Sequence, residues 1–179
     1  MRIVAGTLGG RNFEAPRTNR THPMSERMRG ALFNALGDIE GLTILDCFGG
    51  SGALSIEALS RGAKNSTIIE IDKTAYGTIV DNIGKLGLSS SAKVTRANVS
   101  GWSDNNKNEQ FDLVLCNPPF DGLKLELIQK LTKHVKKGGL MVLSWPTKDY
   151  APDLPGLDLS TVKEKDYGDA QLAFYRRIT

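Results

Sequence analysis

The sequence has few of the residues that build disulfide scaffolds and metal centres. It has two cysteines and two histidines in 179 residues. No pair among Cys47, Cys116, His22 and His134 has the spacing of a zinc or redox motif. Both cysteines fall inside apolar segments, which predicts reduced core thiols in a cytoplasmic protein. No apolar run approaches the roughly 18 residues that a membrane-spanning helix needs. The opening Met1-Arg2-Ile3-Val4-Ala5-Gly6 holds no signal-peptide core. There is no internal repeat and no low-complexity tract. No Lys-Ser or Lys-Thr follows the glycine-rich turn at 49–52, which excludes a P-loop, and the spacing of a dinucleotide fingerprint is also missing.

What remains is an ordinary globular composition, 40% apolar and 24% charged, at a length that favours one domain with a small appendage. The charge is unevenly placed. The first 30 residues carry six arginines, no lysine and two glutamates, a net +4, while the rest of the chain sums to −1. Arginine offers a planar fork to phosphate and stacks on bases. A basic segment joined to a near-neutral domain is the electrostatic pattern of a nucleic-acid binder. A solvated basic face with no partner would look the same.

The chain is organised around Ile44-Leu45-Asp46-Cys47-Phe48-Gly49-Gly50-Ser51-Gly52-Ala53-Leu54. Residues 43–47 read as a buried strand, followed by a glycine turn and an apolar-periodic helix. That succession brings a ligand close to bare backbone at a helix start. Glu70 closes the next strand, where a nucleotide-binding unit sets a carboxylate against ribose hydroxyls. A phosphate-free nucleoside ligand is therefore expected.

In chain order, 2–7 and 11–15 predict a small hairpin turning at Gly9-Gly10. Ser25 predicts an N-cap for a helix ending at 37 or 38. Arg27 and Arg29 fall off its apolar face, free to meet solvent, ligand or RNA. Strands are expected at 43–47, 66–70, 92–97, 111–116 and 140–145, and helices up to 61, over 73–86 and over 122–135. Only a short helical turn is expected in 101–110. Gly138-Gly139 is read as the stop of the last helix. Segments 160–165 and 171–177 predict an antiparallel hairpin closing a parallel sheet.

The second chemical signal is Asn117-Pro118-Pro119-Phe120, directly after the fourth strand. Two prolines stiffen the loop and donate no backbone hydrogen bond. The Asn117 side-chain oxygen and the Pro118 carbonyl are acceptors, and Phe120 is a flat apolar face. Acceptors beside a stacking ring suit the exocyclic amine of a nucleobase.

Together these features resemble the class I S-adenosylmethionine-dependent methyltransferases that act on amino groups. More narrowly, the chain is similar to the RsmD family from end to end. The segments that carry this are Met1 to Gly6, Arg11, Pro23-Met24-Ser25-Glu26-Arg27-Met28-Arg29, Leu32-Phe33-Asn34, Asp46 to Leu54, Glu57 to Ala63, and Tyr167-Gly168. The sequence departs from the family pattern at His22, Gly30, Gly49 and Asn117, the last standing where the family usually has Asp.

The resemblance implies an α/β Rossmann-like fold, a mostly parallel seven-stranded sheet with an antiparallel edge strand, plus an N-terminal β-hairpin and helix. It implies residues 1–24 as an RNA-contacting extension and 25–179 as the methyltransferase domain. S-adenosylmethionine would lie against Asp46, Phe48, Gly49, Gly50, Ser51, Gly52, Glu70, Ile71, Asn98, Val99 and Asn117, with no metal. Asn117, Pro118, Pro119 and Phe120 would be catalytic, and Arg2, Arg11, Arg27 and Arg29 would contact RNA. The implied reaction is methyl transfer to guanine N2 in 16S ribosomal RNA, free or in a 30S assembly particle, by a cytoplasmic monomer. Methyl transfer to adenine N6 or a protein glutamine, or a silent RNA-binding module, remain open alternatives.

Overall fold

The computed structural model describes residues 1–18, 23–119, 121, 124–146, 152, 154, 159–168 and 170–178. Helix α1 (Glu26–Leu36) starts where Ser25 accepts from the Met28 amide at 3.2 Å, and stops at Gly37 with φ 79°. Strand β1 (Thr43–Asp46), helix α2 (Ala53–Ser60), strand β2 (Asn65–Glu70), helix α3 (Lys73–Lys85) and strand β3 (Ala92–Arg96) follow in alternation. Then come α4 (Val99–Asn105), β4 (Phe111–Cys116), α5 (Leu125–Leu131), a 3-10 turn (Thr132–His134) and β5 (Val135–Pro146). The hairpin β6 (Leu159–Asp166) and β7 (Ala170–Arg177) closes the chain.

The strands form one seven-stranded sheet in the order β3-β2-β1-β4-β5-β7-β6. Strands β1 to β5 pair in parallel, and β7 is antiparallel to β5 and β6. The expected mostly parallel sheet with an antiparallel closing hairpin is therefore present. Period-two alternation sends residues to opposite faces. Leu45, Val114, Leu143 and Tyr175 join Trp102 of α4 and Ile128 and Leu131 of α5. Ile44, Leu115, Val142 and Phe174 join Leu32 and Phe33 of α1 and Leu54 and Leu59 of α2. Ile3 and Phe13 pack with Ile56, Ile68, Ile79 and Ile83, so the first residues share the main core.

The N-terminal hairpin is looser than expected. It has a single bridge, Arg2 to Asn12, and its positive-φ glycines are Gly6 and Gly10 rather than the Gly9-Gly10 pair. Gly6 is required by contact, since a Cβ there would lie 1.9 Å from the Ser60 carbonyl oxygen. Helix α4 covers a stretch expected to hold at most a turn. Asn98 caps it by accepting from the Ser100 amide at 2.9 Å, and Trp102 is buried. His134 braces it from outside, its ring bridging Ser103 Oγ at 2.8 Å and the Glu109 carbonyl at 2.7 Å. Burial pushes the His134 pKa down.

Gly138-Gly139 lies inside β5 and does not end a helix. The β4–β5 register jumps from Phe111–Val135 to Leu113–Leu140, which bulges 136–139 outward. The Lys136 ammonium fills the bulge, 3.0 Å from both Asp112 carboxylate oxygens. A Cβ on Gly139 would lie 2.9 Å from the Asp112 and Lys136 carbonyl oxygens. The glycine answers a close backbone approach.

Candidate active site

The loops that leave the C-terminal ends of β1, β2, β3 and β4 meet in a cleft of about 810 Å³. In an open α/β sheet this edge collects ligands, and the volume is that of a small-molecule site. The β1 loop is the glycine turn. Its Gly49 amide donates to the Ile69 carbonyl at 2.8 Å and its Gly52 amide to the Gly49 carbonyl at 2.7 Å. Gly50 and Gly52 hold φ of 57° and 76°, and a Cβ on Gly49 would stand 2.7 Å from Ile68 Cγ2. The turn thus lies close on β2 because Gly49 has no side chain to hold it off.

Glu70 fastens the turn from the side. Its Oε2 accepts from the Gly50 amide at 2.6 Å and its Oε1 from the Asp72 amide at 2.7 Å. Each oxygen keeps a second lone pair for a ligand. Ile71 beside it is 61% exposed, a large apolar side chain on the cleft wall. Asn98 and Val99 complete this end, although the Asn98 oxygen is already engaged as the α4 cap.

Phe48, Gly49, Gly50, Ser51, Glu70, Ile71, Asn98, Val99, Asn117, Pro118 and Pro119 all line the cleft. Phe120 lies outside the described residues. Asp46 and Gly52 are not on the wall: Gly52 turns the chain into α2, and Asp46 is fully buried under the turn. Asp46 Oδ2 accepts from Ser55 Oγ at 2.8 Å, which in turn accepts from Ser66 Oγ at 2.9 Å. Its Oδ1 has no partner among the described residues. Sequence reasoning missed Pro23, Met24, Leu54 and Leu127 as cleft walls. Apolar residues carry no chemical signature, and only the fold brings 23–24 to this edge.

The arginines divide. Arg2, Arg11 and Arg27 are exposed, Arg2 paired with Glu26 at 3.0 Å. Arg29 is fully buried and cannot meet RNA in this arrangement. Its Nε pairs with Glu57 Oε2 at 3.4 Å, and its Nη atoms donate to the carbonyls of Met24 and Arg2. Glu57 also accepts from the Val4 and Ala5 amides at 2.8 and 3.0 Å and from Arg61 Nε at 2.8 Å.

Burial pushes the Asp46 carboxyl up to about 6, against the Ser55 hydrogen bond that favours its ionised form. The folded chain therefore holds this proton more tightly than the unfolded chain. The stability it lends is complete below the ordinary carboxylate pKa and is lost as pH rises through about 6. Asp46→Asn removes this dependence. Its stability relative to the parent should rise by about 2 kcal/mol between pH 4.5 and pH 7.5. Urea unfolding of both proteins at the two pH values reads this, and an equal difference at both would contradict it.

The comparisons with known proteins agree with this architecture. Residues 1–176 match the family described as Conserved hypothetical protein 95. Ribosomal RNA small subunit methyltransferase D of Escherichia coli K12 is 32% identical over 99% of this chain and 90% of its own. The chain belongs to the RsmD family. The RsmD protein of Haemophilus influenzae is 37% identical over 98% of this chain and 93% of its own. Among solved structures, a chain from Escherichia coli superposes with TM-score 0.89 at 31% identity, covering 99% of this chain and 98% of that one. An RNA methyltransferase from Salinibacter ruber, solved with S-adenosyl-L-homocysteine, shares the fold alone, with TM-score 0.66 at 16% identity over 88% of this chain and 94% of its own. No helix among the described residues of this RsmD-family chain is long and apolar enough to cross a membrane.

Proposed function

We propose that the protein transfers a methyl group from S-adenosylmethionine to the N2 amine of a guanine in small-subunit ribosomal RNA. The observation that carries this is the placement of Asn117-Pro118-Pro119 in the same cleft as the glycine turn and Glu70. The name of the Escherichia coli relative supports an RNA substrate of the small subunit.

The residues present fit the cofactor. Glu70 has free lone pairs for the ribose hydroxyls, and Ile71 and Val99 offer apolar flanks to the adenine. When bound, S-adenosylmethionine supplies an electrophilic methyl group on a sulfonium. Asn117 Oδ1 and the Pro118 carbonyl would accept hydrogen bonds from the two N–H groups of the target amine. The amine lone pair is conjugated into the base and weakly nucleophilic. Accepting these hydrogen bonds favours a pyramidal nitrogen and stabilises the positive charge that develops there, and the one N–H proton lost on methylation passes to solvent. The prolines hold both acceptors in place before the base arrives, so little reorganisation remains. A paired or stacked target must be flipped out to reach them. Asn117, where the family usually has Asp, favours adenine N6 as the second reading.

Labelled S-adenosylmethionine with unmethylated 16S RNA, 30S particles and DNA tests the substrate. Label in RNA or in particles is expected, and label in DNA alone would overturn the reading. Residues 1–24, with Arg27, form the proposed RNA-contacting surface of a monomer. The double variant Arg11→Ala, Arg27→Ala should bind RNA more weakly, with a salt slope lower by about two, and keep its affinity for S-adenosylhomocysteine. An unchanged slope would show a solvated face only.

A further inference from the structure

One part of the cleft wall has no role in this reading. Pro23, Met24 and Leu54 line it, and Met24 and Leu54 also border, together with Asn117 and Ser144, a tight crevice with no room for a water molecule. Sharing the cleft and the crevice makes Met24 a neighbour of Asn117, at the acceptor end of the site. Glu70, Ile71, Asn98 and Val99 line only the larger space. The Met24 side chain is mostly buried with Leu32, Phe33 and Leu54, and the edge it shows to the cleft lies on the wall that also carries Asn117. A thioether is polarizable, adapts to irregular gaps and makes favourable contacts with aromatic rings.

Core packing holds the Met24 side chain, and a separate contact holds its backbone. Met24 precedes the α1 cap, in an irregular segment whose regular hydrogen bonding has not yet begun. What fixes its backbone is Arg29, whose Nη1 donates to the Met24 carbonyl at 3.3 Å. The same guanidinium donates to the Arg2 carbonyl and is paired with Glu57. Glu57 lies on α2, the helix that the glycine turn enters. The buried arginine thus ties the chain at Met24 to the cofactor turn and to the N-terminal segment. Its planar fork reaches three acceptors at once, which a lysine ammonium on a flexible stem cannot reproduce.

We propose that Met24 packs against the target base beside Asn117, and that Arg29 is the positioning residue that sets Met24 there. The proposal rests on the reading of the cleft as a methyl-transfer site.

The test compares Met24→Ala, Met24→Leu and Arg29→Lys with the parent, using labelled S-adenosylmethionine and whichever of unmethylated 16S RNA or 30S particles the parent methylates. Calorimetric titration with S-adenosylhomocysteine checks folding and the cofactor end. Met24→Ala should lose about tenfold in kcat/KM for RNA while its cofactor-product affinity stays within about twofold. Met24→Leu, close in volume, should return to within about threefold of the parent. Arg29→Lys should reproduce the loss without changing cofactor-product affinity. If the alanine variant does not fold, Met24→Val removes less and should show a smaller loss of the same kind.

Parent-like kcat/KM in Met24→Ala, or a matching loss of cofactor-product affinity, would overturn the assignment of Met24. Parent-like kcat/KM in Arg29→Lys would overturn the positioning role. Nucleoside analysis of the parent's product keeps the two readings apart. Methylated adenine would correct the target base and leave Met24 standing, whereas no transfer to RNA by the parent would remove both.

Discussion

Asn117→Ala should lose about 10²- to 10³-fold in kcat, the usual cost of deleting one preorganised acceptor or donor at a developing charge. The side chain is on the cleft wall directly after β4, between the buried Cys116 and the stiff Pro118-Pro119 pair. In the proposed mechanism its oxygen would hold the amine N–H most strongly as positive charge builds on nitrogen, so the loss should fall on kcat and leave S-adenosylhomocysteine affinity nearly unchanged. Asn117→Asp presents an oxygen in the same place and should keep activity within roughly two orders of magnitude of the parent. Single-turnover rates with saturating cofactor measure both. Full activity in Asn117→Ala would remove this residue from the chemistry.

Glu57→Ala should destabilise the fold by about 3–5 kcal/mol, the range found when one partner of a buried ion pair is removed. Glu57 and Arg29 side chains are both fully buried, so the variant leaves a guanidinium without its counter-charge in a low-dielectric interior. The Val4 and Ala5 amides lose their acceptor as well, and the N-terminal segment loses its fastening to α2. Domains are stable by only about 5–15 kcal/mol, so this loss is a large share of the total. Glu57→Gln retains an acceptor and should lose less. Glu26→Ala, which breaks the exposed pair with Arg2, should cost no more than about 1 kcal/mol. Urea unfolding midpoints compare the three. A Glu57→Ala protein as stable as Glu26→Ala would contradict the role assigned to this cluster.

The contrast between these glutamates shows where the sequence was legible and where it was not. Local patterns carried well. The Ser25 cap, the apolar runs of β1, β2 and β4, the glycine turn and the acid at Glu70 follow from residues near one another in the chain. They also place the glycine-turn end of the cleft, because strand, turn and helix are consecutive. What did not carry was long-range. Arg29 sits off the apolar stripe of α1 and looks solvent-facing, until the fold brings Glu57 against it across 28 residues. Gly138-Gly139 looks like a helix stop, because the crowding against Asp112 comes from a neighbouring strand. Helix α4 is polar in sequence, and Trp102 and His134 supply its packing from both ends of a 32-residue separation. Met24 belongs to a segment that carries the family resemblance, but only the fold puts it on the cleft wall with Asn117.

The central claim is that the acceptors at Asn117 and Pro118 receive a guanine N2 amine. The most direct measurement is digestion of RNA methylated by the purified protein, followed by mass spectrometry of the nucleosides. The account predicts N2-methylguanosine in small-subunit ribosomal RNA, absent when Asn117→Ala replaces the parent. N6-methyladenosine as the sole product would contradict it.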